Sequence, residues 1–223
     1  MTDLLPCVEI EPREPIRGSI VWLHGLGASG HDFEDIVPLL ERPDLRFVFP
    51  HAPQRAVTIN MGLIMPAWYD IERLDAEGHA NPRHVRESCD LVTALLEREV
   101  ARGVPADGIV LAGFSQGGAI ALHLGTRHPQ TLRGILVLSA YELFPDTREA
   151  EPTPANAATP IFFGHGTYDP LIAVERGRAA HDAHANGLRA VAWREYPMAH
   201  AMCMEEVADV RDWLAGLFEP EAG

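Results

Sequence analysis

The sequence contains no lysine, and all 18 of its basic residues are arginine. A catalytic lysine, a lysine Schiff base and the lysine of a Walker-type phosphate loop are therefore excluded. Positive charge is scarce in general, because 32 acidic residues bring the formal net charge to −14 at pH 7. Such an excess of negative charge argues against binding to nucleic acid or to anionic membranes. We therefore expect no nucleic-acid partner and no stable membrane association.

Cysteine and long apolar runs are also scarce. Cys7, Cys89 and Cys203 cannot all pair, and their spacing fits no metal site, so we predict a reducing, cytoplasmic location. No apolar run approaches the roughly 20 residues that span a bilayer, and residues 1–14 lack the basic flank and apolar core of a signal peptide. The length and the ordinary hydrophobic content of 47% predict one domain over residues 1–223.

The most informative stretch is formed by residues 110–122. A short apolar run ends at Gly113, one serine stands between glycines, and small and aliphatic residues follow at helical spacing. Gly113-x-Ser115-x-Gly117 is the nucleophile-elbow pattern, a strand-to-helix turn that holds a strained serine at its tip. Glycine is needed on both sides because a side chain there would collide with the adjacent strand and helix. A plain glycine-flanked core turn is the alternative, but it does not require the strand before and the helix after the motif.

Strands and helices alternate along the chain, which predicts an α/β fold with a mostly parallel central sheet and helices on both faces. Residues 50–80 follow neither period, although they are apolar, and an irregular segment of this length is expected to cover something. Residues 142–160 have the composition of a surface loop. Strands are predicted at residues 7–10 (an edge strand), 19–23, 46–49, 109–114, 135–138, 160–164 and 191–196, and helices near 33–40, after the elbow, and at 83–102, 172–186 and 205–218.

The carboxyl ends of these strands carry Ser115, Asp169 and His200, in that chain order. Functional groups of open α/β sheets collect at this edge, and the order Ser, Asp, His is that of the α/β-hydrolases. A serine hydroxyl is a poor nucleophile until a base takes its proton. We predict that His200 is this base and that Asp169 orients it and stabilises the imidazolium.

Other interpretations of these residues stay open at this point. Asp169 precedes a proline and is also an ordinary turn opener. His24 and His165 lie at strand ends too and fit the base by position, although glycine follows each of them in a tight turn. His181 and His184 have a metal-like i, i+3 spacing, but the sequence brings them no obvious further ligands, so solvated helix faces explain them better. We predict no metal site and no cofactor.

Two backbone N–H groups are needed to stabilise the oxyanion that forms in acyl transfer. One is expected from Gln116, directly after the nucleophile, and the other from Leu26 in the glycine-rich loop after the second strand. Met61, Met65 and Trp68 are the predicted apolar wall for the acyl chain. Core packing is the alternative for these three, because methionine fills irregular gaps anywhere.

Taken together, the motifs resemble those of the phospholipase/carboxylesterase family of α/β-hydrolases, which includes acyl-protein thioesterases and small bacterial carboxylesterases. The resemblance covers nearly the whole chain and implies a Ser115–Asp169–His200 triad, an oxyanion hole at Leu26 and Gln116, and an acyl groove roofed by residues 50–80 without a separate cap domain. One departure is Ala173, where relatives commonly have a proline that would stiffen the loop holding Asp169. The motifs are His24-Gly25-Leu26-Gly27, Trp68-Tyr69-Asp70, Gly113-Phe114-Ser115-Gln116-Gly117-Gly118, His165-Gly166-Thr167-x-Asp169-Pro170 and His200.

The leading hypothesis is a cofactor-free serine carboxylesterase that acts on short-to-medium acyl esters through an acyl-enzyme intermediate. An acyl-protein thioesterase or a lysophospholipase is the alternative among enzymes, and a non-catalytic binding module is a more remote one. The expected partner is a small acyl ester or thioester. Self-association as a homodimer through the apolar 50–80 segment is left open.

Overall fold

The computed structural model describes residues 4–73, 80–147, 153–185, 187 and 189–219. Parts of the predicted 1–223 domain, of the 50–80 segment and of the 142–160 loop therefore lie outside the described residues. The strands within the described ranges are β1 Cys7–Ile10, β2 Gly18–Leu23, β3 Leu45–Pro50, β4 Gln54–Val57, β5 Leu63–Pro66, β6 Ile109–Phe114, β7 Gly134–Leu138, β8 Ile161–Gly166 and β9 Val191–Tyr196.

Seven of these strands form one sheet in the order β1-β3-β2-β6-β7-β8-β9. Strand β1 pairs antiparallel with β3, and every other pairing in this sheet is parallel. The inner strands β2, β3, β6 and β7 are buried almost throughout, because helices cover both faces of a parallel sheet and leave no face for polar residues. The predicted α/β class and mostly parallel sheet are confirmed.

The helices divide between the two faces of the sheet. The α-helices are α1 Pro82–Ala101, α2 Gln116–Gly125, α3 Val174–His184 and α4 Met204–Phe218, and a 3₁₀ helix spans Gly30–Leu40. Alternate residues of β2 show the division, since Val21 packs in the cluster that α1 and α2 cover, whereas Trp22 packs with residues of the 3₁₀ helix and α4. Helix α3 covers the outer part of the first face through Ala180. None of the helices within the described ranges combines the length and the apolar character that a membrane crossing needs.

The start of α1 illustrates how local sequence sets an element boundary. The side chain of Asn81 accepts hydrogen bonds from the amides of Arg83 and His84, and Pro82 occupies the first helical position, where no amide hydrogen is needed. Gly103 follows the helix with a φ of +96°, a conformation that favours glycine. The predicted helix at residues 83–102 is confirmed to within one residue at each end.

The 50–80 segment is more regular than its sequence pattern predicts. Strands β4 and β5 form an antiparallel two-stranded sheet of their own, and a 3₁₀ turn, Thr58–Asn60, lies between them. The prediction of an irregular stretch was wrong there, because cross-strand backbone pairing does not need alternating hydrophobicity when both faces are partly exposed. Residues 74–79 of the segment lie outside the described residues.

Candidate active site

Strand β6 and helix α2 meet at Ser115, whose backbone is held in an unusual conformation. Its φ of 54° and ψ of −120° lie outside the regions that non-glycine residues ordinarily occupy. The Ser115 amide donates a hydrogen bond of 2.8 Å to the carbonyl oxygen of Leu138, at the end of the neighbouring strand β7. A strained backbone conformation persists only where the surrounding structure fixes it, and here β6, β7 and α2 hold Ser115 at the carboxyl edge of the sheet.

The glycines of the elbow are there because other backbone atoms come too close for a side chain. A Cβ on Gly113 would lie 2.3 Å from the carbonyl carbon and oxygen of Gly117, and a Cβ on Gly117 would lie 2.3 Å from the carbonyl oxygen of Leu23 on β2. Backbone atoms cannot move aside without separating α2 from the sheet. The close approach explains the spacing of the motif and confirms the predicted strand–turn–helix context.

The structure brings Ser115, His200 and Asp169 together in one hydrogen-bonded chain. The distance from His200 Nε2 to Ser115 Oγ is 2.9 Å, and the distance from His200 Nδ1 to Asp169 Oδ2 is 2.6 Å. His200 also packs on the ring of Phe114, with 4.8 Å between ring centroids. The imidazole therefore has one nitrogen facing the hydroxyl and the other facing the carboxylate, which is the geometry that a nucleophile, a base and an orienting acid need.

Asp169 is fixed by its own loop. Its side chain is fully buried, and Oδ1 accepts hydrogen bonds of 2.9 Å from the amides of both Leu171 and Ile172. The ring of His165 donates a further hydrogen bond of 2.9 Å to the carbonyl oxygen of Ile172. These contacts hold the loop without a proline at Ala173, and Asp169 Oδ2 lies within hydrogen-bond distance of His200.

The two other strand-end histidines serve the structure of the loops. His24 Nδ1 donates to the carbonyl oxygen of Gly25 at 2.7 Å, and its Nε2 accepts from the amide of Ala52 at 3.0 Å. Burial lowers the pKa of both His24 and His165. Both ring nitrogens of His24 and Nε2 of His165 are engaged with the backbone. Because both rings are also buried, neither is placed to take the proton of the serine.

Gln116 contributes more than the backbone amide predicted for it. Its buried side chain accepts a hydrogen bond from the amide of Trp68 and donates one to the carbonyl oxygen of Tyr69, each at 2.7 Å. The first amides of a helix have no acceptor within the helix, and the amide of Gln116, the first residue of α2, makes no hydrogen bond within the described ranges. The amide of Leu26, in its loop, makes none there either. Sequence reasoning missed the side-chain contacts because their partners lie 47 and 48 residues away.

A cavity of about 570 Å³ opens onto Ser115 and His200, within the usual size range for small-molecule sites. Both predicted oxyanion residues, Leu26 and Gln116, lie on its wall. The apolar side chains that line it include Phe33, Ile36, Ile59, Ile71, Ile172 and Met202.

The predicted acyl wall of Met61, Met65 and Trp68 needs correction, because none of the three lines this cavity. Met61 is 91% exposed at the turn between β4 and β5. Met65 accepts a hydrogen bond from the Asn60 side chain and packs near Gly27. Trp68 is fully buried, and its indole donates to the carbonyl oxygen of His24. The sequence showed that this segment is apolar but not which of its side chains turn towards the serine.

Two tyrosines and an arginine on the cavity wall have no role in the predictions from sequence, although Tyr69 belongs to one of the motifs. The hydroxyls of Tyr69 and Tyr141 are 2.9 Å apart, and burial raises the pKa of both phenols. The guanidinium of Arg176, on α3, lies over the Tyr141 ring, 3.8 Å from its centroid. No local motif predicts that these three side chains meet, because they come from three separate parts of the chain.

Comparison with known proteins gives a consistent result. The model of the family described as Phospholipase/Carboxylesterase matches residues 6–217. Acyl-protein thioesterase 1 of Yarrowia lipolytica is 35% identical over 217 residues, covering 94% of this chain and 96% of that protein, and acyl-protein thioesterase 1 of Neurospora crassa is 36% identical over 208 residues, covering 88% and 85%. Among solved structures, Zea mays acyl-protein thioesterase 2 is similar with a TM-score of 0.86 at 27% identity, covering 96% of this chain and 99% of that one. Arabidopsis thaliana SOBER1 has a TM-score of 0.85 at 28% identity, covering 91% and 100%.

Proposed function

We propose, from the premise that this chain belongs to the phospholipase/carboxylesterase family, that it is a serine carboxylesterase acting on short-to-medium acyl esters. The chain is an α/β-hydrolase of the serine hydrolase class, and what remains to be assigned is its catalytic residues and its substrate. One observation carries the proposal: the hydrogen-bonded chain from Ser115 through His200 to Asp169 lies at the mouth of a largely apolar cavity.

Each residue of the proposed triad has one task. Ser115 Oγ attacks the acyl carbonyl carbon while His200 Nε2 takes the hydroxyl proton, and Asp169 stabilises the imidazolium that results. The amides of Leu26 and Gln116 donate to the oxyanion. His200 then returns the proton to the departing alcohol or thiol, leaving an acyl-serine. Water hydrolyses this ester by the same steps in reverse roles, which releases the carboxylic acid and restores the serine.

An acyl-protein thioesterase activity is the second candidate, favoured by the names of the relatives at 30–36% identity. An ester and a thioester pass through the same acyl-serine, so the triad supports both. The cavity favours the apolar acyl part of either substrate. A matched series of oxygen esters and thioesters with two to eight acyl carbons, compared by kcat/KM, decides between the two candidates.

The first experiment compares the parent with Ser115→Ala on p-nitrophenyl acetate through octanoate. We expect the substitution to lower kcat by on the order of 10⁴-fold or more. Ser139→Ala is the matched control, because the Ser139 hydroxyl is buried without a hydrogen-bond partner in the described part of the chain, and we expect it to retain activity.

A fluorophosphonate probe should label the parent and the Ser139→Ala variant but not Ser115→Ala. Equal hydrolysis by the parent and Ser115→Ala would refute the proposal, and a folded parent that takes up no probe would favour a non-catalytic module. The cytoplasmic location and the homodimer stay predictions.

A further inference from the structure

The wall of the cavity carries a positive charge that has no acidic partner in the described ranges. Arg176 is half-buried, and its guanidinium is stacked on Tyr141, but no carboxylate of the described residues lies within 4 Å of it. Two arginines of low exposure elsewhere, Arg42 and Arg46, do have such a partner, in Asp44 and Glu99 respectively. The unpaired guanidinium is therefore a feature of the cavity and not of a surface ion-pair network.

The surroundings of Arg176 suit it to bind an anion. Stacking on Tyr141 holds the plane of the guanidinium, so its edge can donate two parallel hydrogen bonds to one carboxylate. The Tyr69–Tyr141 hydroxyl pair uses one of its two protons internally, which leaves the other for a ligand. The nearby apolar lining reduces solvent screening of a contact between opposite charges.

The position of the catalytic groups indicates which part of the substrate reaches this wall. His200 must return its proton to the leaving group, so the leaving group lies beside His200 and the residues that follow it, Ala201 and Met202. The acyl chain then occupies the rest of the cavity. Ile59, Tyr69, Ile71, Tyr141 and Arg176 line the cavity too, and they belong to other elements than the loop that carries His200.

We propose that Arg176, with the Tyr69–Tyr141 pair, binds a carboxylate at the far end of the acyl chain, so that half-esters or half-thioesters of dicarboxylic acids are preferred substrates. This inference rests on the proposed function, because it assigns the substrate class of the same site. It also gives a purpose to a cation inside a protein of net charge −14, whose overall field repels anions. The cavity wall also carries the acidic residue Asp32. Its carboxylate already accepts hydrogen bonds from the amide and hydroxyl of Ser29 and belongs to the 3₁₀ helix, whereas Arg176 belongs to α3.

The test uses two substrates with acyl chains of five carbons, mono-p-nitrophenyl glutarate and p-nitrophenyl pentanoate. We expect the parent to hydrolyse the glutarate ester at least as efficiently as the pentanoate. In Arg176→Gln the ratio of the two kcat/KM values should fall about tenfold or more, mainly through KM for the glutarate, because a charged hydrogen-bond donor is lost. The rate on the pentanoate should change little.

Arg178→Gln is the matched control, since it removes the same charge from the same helix. Arg178 is exposed and paired with Glu195, and it does not line the cavity, so the ratio should stay at the parent value. An unchanged ratio in Arg176→Gln overturns the inference, and so does an equal loss on both esters, because that result indicates a purely structural role.

A second pair of substrates tests the placement of the anion. In 4-carboxyphenyl pentanoate and 4-carbamoylphenyl pentanoate the charge difference lies on the leaving group, and we expect no preference that depends on Arg176. An Arg176-dependent preference in this pair overturns the assignment to the acyl side. If Ser115-dependent hydrolysis of the pentanoate is present but the glutarate preference is absent, this inference alone fails. If hydrolysis does not depend on Ser115, the proposed function fails with it.

Discussion

Glu206 gives the sharpest prediction about stability, because the structure buries its carboxyl without compensation. It lies in the first turn of α4 and is fully buried, and neither side-chain oxygen has a hydrogen-bond partner within the described ranges. Its Oε1 packs so closely over β8 that a Cβ on Gly164 would lie 2.3 Å from it. Burial, with a smaller contribution from the Asp209 carboxylate, raises the pKa of Glu206 to about 8.

The raised pKa makes Glu206 destabilising above mildly acidic pH. In the unfolded chain this carboxyl ionises near the ordinary glutamate pKa of 4.5, whereas in the folded protein it keeps its proton until about pH 8. The unfolded state therefore gains from ionisation as the pH rises from 4.5 to 8, and the free energy of unfolding falls over that window. Because each unit of pKa difference corresponds to about 1.4 kcal/mol, the loss between pH 5 and pH 8 is about 3 kcal/mol.

Glu206→Gln removes the titrating proton at nearly constant volume. We expect its free energy of unfolding to be close to that of the parent at pH 5 and about 3 kcal/mol higher at pH 8, measured by urea denaturation at both values. Glu205→Gln is the matched control, because Glu205 is the exposed neighbour in the same turn. It should follow the parent at both pH values. A difference between Glu206→Gln and the parent that does not grow between pH 5 and pH 8 would refute the reasoning.

Two further predictions concern the packing that supports the site. Gly117→Ala places a Cβ 2.3 Å from the carbonyl oxygen of Leu23. It should lower the free energy of unfolding, measured by urea denaturation, by about 1–3 kcal/mol and should also slow ester hydrolysis. Gly216→Ala is the control, because its Cβ meets no atom within 4 Å and no loss of stability is expected, and equal behaviour of the two variants would contradict the account of the elbow. Burial alone raises the pKa of Glu99, but hydrogen bonds from a buried serine hydroxyl and from Arg46 outweigh it and leave the pKa lowered. Glu99→Gln should therefore lower the free energy of unfolding at pH 7 by about 3–5 kcal/mol. This deficit should shrink as the pH falls below 4.5, and a deficit that is independent of pH would contradict it.

The strand ends and the elbow were predictable because their signals are local. A buried parallel strand is a continuous apolar run, and Ile109–Phe114 was predicted with its exact bounds. The elbow requires glycine where backbone atoms of two elements come too close for a side chain, so its glycines appear at a fixed spacing, at residues 113 and 117. The β4–β5 pair has no comparable signal, since its residues are partly exposed and its order comes from pairing across the turn.

The sequence by itself determined the class of fold, the family and which three side chains stand at the carboxyl ends of strands, because each depends on residues that are close together in the chain. Only the tertiary structure decided the contents of the cavity. It placed Met61 in solvent and Trp68 in the core, and it brought the Tyr69 hydroxyl to that of Tyr141 and the Tyr141 ring beneath Arg176. The physical reason is that a cavity wall is assembled from side chains of several elements, and the direction of each is set by packing against residues far away in the sequence.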